Sequence, residues 1–340
     1  MVIPNDINCT TWMGNQDMTG HMMKQVWNAE LKRKQQCMLA FAAVLVLTAA
    51  PAAHGAFFDT AGKSARSMGM GEVFLAATGD ASSYWYNPAG LAKFEKRQVG
   101  LSYGIPVATV SDLNISQFNF VTPLGGSMGL GLGVSYGGID VANDMVISGG
   151  YGVALSERLA IGGNVKLMRW AVDGQPIVWP LETGAKDESL SKTSFSLDLS
   201  ATLGLGELFG LGSFSTGVYV KDAIMPNISE SGADGGKLPI EAGLGLMFQR
   251  KDFLVEVNAA NKDGNTIFHL GGESAVPGSN LKLRGGAVYG SDFKDDTERF
   301  DVNLGVGYIF SALVFNYAYI LPIEITNSGG KHIVSFGVSF

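Results

Sequence analysis

Charge is scarce in this chain, and so are cysteine and histidine. Asp, Glu, Lys and Arg make up 16% of its 340 residues against 46% hydrophobic, so the balance of a disordered chain, high charge with few hydrophobes, is excluded. Both cysteines, Cys9 and Cys37, lie ahead of Pro51 in a stretch that reads as a removable leader, which leaves the mature protein without disulfide or thiolate chemistry. Beyond that stretch the histidines are His269 and His332, and each reads as a wall or rim residue of a strand, not as a base or ligand. No GxSxG, HExxH or paired-cysteine motif occurs. The glycines at 129–133 and 204–212 do not form a GxGxxG that opens a helix, so they read as strand and turn glycines. The sequence therefore calls for no enzyme, no cofactor and no metal. The mature part also lacks a run of roughly 20 apolar residues, the length that a membrane-spanning helix needs. Basic residues are outnumbered, 24 to 31. Without the leader's four basic and three acidic residues the counts become 20 and 28, and this acidic balance argues against nucleic acid as a partner.

What the chain has in abundance is glycine, 46 residues, together with a leader and a long alternating pattern. Lys32, Arg33 and Lys34 precede an apolar run from Cys37 to Ala50, and small residues follow at Pro51–Ala56. That order is a secretory signal peptide, with cleavage expected after Gly55 or Ala56 and a retained anchor as the alternative. Residues ahead of the run are polar and numerous, so translation is expected to start at Met22 or Met23. The expected organisation is 1–56 over-extended N-terminus plus signal peptide, 57–96 plug, and 97–340 barrel.

From Arg97 onward the dominant period is 2. Phe195, Leu197, Leu199, Ala201 and Leu203 oppose Ser194, Ser196, Asp198, Ser200 and Thr202. Such runs predict about fourteen strands, near 97–103, 113–121, 127–137, 144–155, 158–170, 192–203, 213–221, 238–248, 252–259, 266–272, 279–289, 299–309, 312–320 and 331–340. In the second, Leu113 and Ile115 lie in opposite phase to Phe118 and Phe120. Connections alternate between tight turns, as at Gly125–Gly126 and Ser156–Glu157, and longer loops, as at 171–191 and 222–237, the pattern of an outer-membrane barrel. The 204–212 turn is longer than this pattern expects and 261–265 is shorter.

A soluble β-sandwich also alternates, so the two faces must be weighed. One face carries Lys166, Asp198, Lys221, Glu241, Glu256, Lys282, Arg284 and Asp301, which suits a wet or plug-contacting lumen. Lys282 and Arg284 are expected to pair with Asp301, Glu72 or Asp80, with an anionic head group as the alternative. Gly129, Gly131 and Gly133 with Gly149, Gly150 and Gly152 leave room on the wall, and Tyr103, Tyr136, Tyr289 and Tyr319 suit an aromatic girdle. The adopted reading is an all-β transmembrane antiparallel barrel of about 14 strands, with an N-terminal plug segment containing short helices.

The stretch from Ser64 to Leu91 alone in the mature chain has helical and turn chemistry. Asp80 and Asn87 are N-cap types, each followed by a short helix, Ala81–Trp85 and Pro88–Lys93, with Pro88 at the first helical position. Gly69 and Gly71 flank Met70, where the backbone can approach a wall or turn. A plug and an external arm are both compatible with this chemistry. The run Ala65, Arg66, Ser67, Met68, Gly69, Met70, Gly71, then Asp80–Ser82 and Asn87–Leu91, resembles the amino-terminal region of PorV/PorQ-type outer-membrane proteins and, more distantly, of FadL-type transporters of hydrophobic compounds. This sequence departs from the pattern at Glu72, where a small residue is usual, and at Tyr86. The plug residues the resemblance marks are Arg66, Met68, Gly69, Gly71, Asp80, Asn87 and Pro88. The last strand, with Phe336, Val338 and a terminal Phe340, resembles the signal read by the barrel-assembly machinery.

The resemblance implies two functions from different classes: transport of a hydrophobic small molecule across the outer membrane, or binding of secreted protein cargo in type IX secretion. An open porin is a weaker third reading. The implied surroundings are outer-membrane lipid and a cell outer membrane reached after signal-peptide cleavage. For transport, the candidate substrate-binding residues are Trp170, with Ile177, Val178, Trp179 and Leu181 in one long loop and Ile224, Met225 and Ile228 in another. Apolar residues on solvent-facing loops mark either a capture surface or a lid in which the loops pack on each other.

Overall fold

Alternation with period 2 becomes fourteen antiparallel strands: β1 (Gln98–Ile105), β2 (Asn114–Gly125), β3 (Met128–Ile139), β4 (Ala142–Ala154), β5 (Leu159–Val172), β6 (Leu190–Leu208), β7 (Gly212–Lys221), β8 (Glu241–Arg250), β9 (Phe253–Lys262), β10 (Asn265–Ala275), β11 (Leu281–Ser291), β12 (Glu298–Phe310), β13 (Leu313–Pro322) and β14 (Lys331–Ser339). The computed structural model describes residues 58, 61–73, 79–106, 113–139, 142–172, 190–208, 210–228, 236–291, 298–324 and 328–340, all within the unit Ala49–Phe340. The expected leader, 1–56, lies outside the described residues.

Each strand pairs with its sequence neighbours, and β1 pairs with β14 to close the barrel. That seam runs from Gln98 opposite Ser339 to Ile105 opposite His332. Beyond it Arg97 and Phe340 exchange backbone hydrogen bonds of 3.1 and 2.9 Å. Closure leaves no unpaired strand edge. With an even strand number both chain ends of the barrel lie on the side of the short turns, such as Gly126–Ser127 and Lys251–Asp252.

The outward face is apolar. Leu101, Tyr103, Phe118, Leu132, Tyr136, Phe195 and Leu304 are exposed, while the intervening Gln117, Asn119, Asp198, Glu256 and Asp301 are buried on the inside. Among the described residues no helix is long and apolar enough to cross a membrane. The two phases in β2 have a simple origin. Leu113 and Ile115 are buried at the long-loop end of the lumen, whereas Phe118, one residue out of step, faces outward. Apolar demand thus exists on both faces of this strand at different heights.

Two expectations are corrected, and the shortness expected of 261–265 is borne out. The 204–212 stretch is not a loose turn: β6 runs on to Leu208, β7 begins at Gly212, and a bulge between Gly204 and Gly206 absorbs the extra residue. The short 261–265 connection is a two-residue hairpin turn with Asp263 and Gly264 at φ 55° and 81°, the left-handed pair that a tight hairpin requires. Gly149 does not line the lumen, because its Cβ direction meets the outward Leu132 side chain.

Candidate functional site

The lumen is filled from the N-terminal side. Residues Ser64–Val73 and Gly79–Leu91 run along the inner wall, with Tyr84, Met70, Leu91 and Val73 among the most completely buried side chains. Helix α1 (Ala65–Gly69) is a single turn that needs help at its start. It receives a reciprocal capping box, in which Ser64 Oγ accepts from the Ser67 amide and Ser67 Oγ from the Ser64 amide. Two 3₁₀ turns follow, Ser83–Trp85 and Pro88–Lys93.

Glycine sets how close the segment comes. A Cβ on Gly129, Gly152 or Gly162 would collide with the backbone of Pro88–Leu91, and one on Gly271 or Gly286 with that of Met70–Gly71. Gly71 has φ 68° and would meet the Leu270 carbonyl oxygen at 2.6 Å, so both its conformation and its contact favour glycine there. Met68 packs with Ala65, Ala318, Ile320 and Ile333.

Polar groups of the wall then satisfy the segment's backbone. Asn303 Nδ2 donates to the Met68 carbonyl at 2.7 Å, and Asn164 Nδ2 to the Tyr84 carbonyl at 2.7 Å. His269 Nδ1 lies 2.9 Å from the Gly71 carbonyl oxygen. The expected cap at Asn87 is not made: its side chain forms no capping bond, and neither amide atom has a partner among the described residues. Ser200 Oγ of β6 accepts from the Ala89 amide at 2.8 Å, while the Gly90 amide bonds the Asn87 carbonyl at 3.0 Å. The wall and the backbone therefore do the capping, and Pro88 at the first position has no N–H to satisfy. Asp80 Oδ1 accepts from the Ser82 amide and hydroxyl at 2.8 and 2.7 Å as a cap residue does, but the helical turn expected over Ala81–Trp85 begins only at Ser83.

Two ion-pair clamps of opposite polarity hold α1 and the residues after it to β10–β12. Arg66 Nε donates to Glu273 Oε2 at 2.9 Å, and the same carboxylate takes Lys282 at 2.9 Å and Arg284 at 2.8 Å. Lys282 and Arg284 thus pair with Glu273 on the neighbouring strand, not with Asp301, Glu72 or Asp80. On the other side of the segment Glu72, at φ 62°, pairs with Lys63 at 3.0 Å and with Arg299 Nη2 at 2.8 Å. Burial opposes ionisation of Glu72, but Lys63 and Arg299 outweigh it and hold this carboxyl well below the usual carboxylate range. Glu273, Arg299, Asn303, Asn164 and Ser200 meet the segment without any sequence motif that marks them. The sequence signal for them is the inward phase of their strands, and nothing local distinguishes which of the many inward polar residues meet the segment.

At the long-loop end the connection after β7 folds onto the wall. Asp222 accepts from Lys166 Nζ at 2.8 Å and from Ser196 Oγ at 2.6 Å, and its amide donates to Asp198 at 3.0 Å. The candidate residues here divide. Ile228 is buried, and its carbonyl accepts from Trp170 Nε1 at 2.6 Å. Ile224 and Met225 are 55% and 41% exposed. Ile177, Val178, Trp179 and Leu181 lie outside the described residues. Phe336 and Val338 alternate on β14, with the Phe336 ring 5.0 Å from Phe315, and Phe340 is exposed at the end of the closing seam.

Space in the lumen is divided by the segment. A cavity of about 540 Å³ lies on the short-turn side, lined by Arg66, Asp80, Glu273 and Arg284 among others. Smaller ones of about 120 and 70 Å³ lie on the long-loop side, the first against Glu72, Tyr219 and Arg299, the second against Met68, Pro106 and Ile115.

Neither a protein-family model nor any curated protein sequence matches the chain. Among solved structures it is similar to the Ralstonia pickettii toluene transporter TbuX, with a TM-score of 0.60 at 12% identity over 83% of this chain and 100% of that one. The P. putida toluene transporter TodX aligns with a TM-score of 0.57 at 13% identity, over 82% and 98% of the two chains. A Pseudomonas aeruginosa FadL homologue gives 0.55 at 12%, over 86% and 99%. The fold is the one these barrels share. At such identity the likeness is one of architecture, and the side chains that line this lumen are the chain's own.

Proposed function

We propose that this chain is an outer-membrane β-barrel that carries a hydrophobic small molecule across the bilayer. The observation that carries the reading is a closed fourteen-stranded wall, apolar outside, whose polar lumen is occupied by the chain's own N-terminal segment. A closed barrel satisfies every wall backbone group without water, as a lipid environment demands. The likeness in fold to two toluene transporters and a FadL homologue supports transport of a hydrophobic molecule over the other classes. These three structures lend no support to the alternative, cargo binding in type IX secretion.

In this reading residues 1–56 are an over-extended N-terminus plus signal peptide, 57–96 form the plug, and outer-membrane lipid covers the outward face. The assembly machinery reads Phe336, Val338 and Phe340. The exposed Ile224 and Met225, with Ile177, Val178, Trp179 and Leu181 of the 171–191 connection, form the first contact for substrate, and Ile228 with Trp170 anchors the 222–237 connection. The test is uptake of labelled toluene and of a long-chain hydrocarbon by cells making equal amounts of folded barrel. Ile224→Ser with Met225→Ser should lower uptake by about tenfold, the factor that ~1.4 kcal/mol of lost apolar contact gives. Unchanged uptake at equal expression would remove this loop from the route, and failure of the unmutated protein to support uptake would remove the transport reading itself.

A further inference from the structure

The cavity of about 540 Å³ on the side of the short turns carries more charge than a hydrocarbon site needs. Its inward lining sets the polar Ser102, Asn119, Gln249 and Ser335 beside the apolar Met247 and Leu254, and it reaches the rim at Lys251, Asp252 and Ser339. Five cations line it: Arg66, Lys93, Lys251, Lys282 and Arg284. Three carboxylates face them, Asp80, Asp252 and Glu273. The lining therefore carries a formal surplus of two positive charges in a chain whose overall balance is −7.

Two of those carboxylates are already committed. Asp80 Oδ1 serves Ser82, and Glu273 is shared among Arg66, Lys282 and Arg284. Lys93 and Lys251 form no ion pair among the described residues. Arg284 has a side chain only 1% exposed, yet its Nη1 has no hydrogen-bond partner, and Oδ1 of Asn316, also on the lining, has none either. Both atoms lie within 3 Å of the point where a Cβ on Gly307 would stand, a spot that glycine leaves clear. A buried guanidinium N–H without an acceptor is costly, and a low-dielectric wall of one sign concentrates counter-ions.

We propose that this cavity is a binding site for a small, water-soluble dicarboxylate entering from the short-turn side. Two carboxylates match the surplus of two charges, the unpaired cations stand towards the rim, and the unpartnered Arg284 N–H lies deeper. The volume falls within the range of roughly 300–1,000 Å³ usual for small-molecule sites, but the lining is only about half apolar and strongly charged where those are mostly apolar. The proposal does not rest on the hydrophobic route proposed above.

The experiment is equilibrium binding of succinate to the full-length barrel in detergent, with neutral succinamide as isostere and inorganic phosphate as a second anion. Saturable succinate binding that weakens in high salt and is absent for succinamide is expected. Lys93→Gln with Lys251→Gln should weaken it by about tenfold, which corresponds to the loss of one charge-assisted contact. Lys192→Gln, at the opposite end of the barrel, should not. Folding of each variant is read from the heat-dependent shift of the barrel on an SDS gel. No saturable binding by folded protein, equal binding of succinamide, indifference to the double variant, or tighter binding of phosphate would each overturn the proposal. Hydrocarbon uptake, measured separately, reports on the transport reading alone.

Discussion

At the scale of single residues, one methyl group decides whether the N-terminal segment can seat against the wall. A Cβ on Gly271 would occupy the place of the Met70 carbonyl, and the obstacle is backbone, which cannot swing aside as a flexible side chain would. Gly271→Ala should therefore cost about 1–3 kcal/mol, measured as a lower temperature for loss of the folded band in SDS. Gly285→Ala on the next strand meets nothing within 4 Å and should leave that temperature unchanged. Asn87 teaches a second lesson at this scale. Its residue type and the proline after it announced a helix start, and a turn does start there, but the side chain caps nothing. Removing two unpartnered buried amide atoms should be close to neutral. Ser200→Ala, which deprives the Ala89 amide of its acceptor, should cost about 1–3 kcal/mol. A thermal shift larger for Asn87→Ala than for Ser200→Ala would contradict this account. The sequence shows the position of the turn, because proline and cap types act locally. It hides the capping partner, because Ser200 is more than a hundred residues away.

At the scale of elements, strands were legible and clamps were not. Period 2 with turn residues between runs is a local signal, so all fourteen strands could be placed. Their ends moved mainly where pairing continued past the apolar run, as β6 does to Leu208. The two clamps depend on register across β10–β12, which decides that Glu273 stands opposite Arg284. That is information a single strand does not carry. The clamp at Glu72 makes a pH prediction whose sign follows from its depressed pKa. The ionised carboxylate stabilises docking fully above its ordinary, unfolded value of about 4.3. That contribution is lost as pH falls through the lower value held in the folded state. Glu72→Gln should therefore dock less tightly than wild type at neutral and mildly acidic pH, and the gap should close only in strong acid. Fluorescence of the buried Trp85 or protease access to the segment would follow it. A gap that widened on acidification would show that Glu72 is not held ionised by Lys63 and Arg299.

At the scale of the whole molecule, the barrel and its contents are two structures with different needs. The wall closes through β1 and β14 by backbone pairing alone, and no strand borrows an edge from the segment. The inner face, with Gln117, Asn119, Ser135, Asn164, Asp198 and Asp301, can be hydrated where the segment now covers it, whereas the outward face cannot. Deleting residues 61–94 while keeping the leader and everything from Glu95 onward should therefore leave a closed, heat-modifiable barrel. Its lumen should fill with water, because the glycine-lined wall then has nothing to fill the space and polar groups to wet it. In planar bilayers the deletion should conduct in steady steps, where the intact protein is largely closed. Addition of the separate 58–96 peptide should lower the conductance if its clamps re-form. Collapse of the deleted form into a species that runs unfolded in cold SDS would show that the wall leans on the segment for its closure. Folded but non-conducting barrels would show that some other part of the chain seals the lumen.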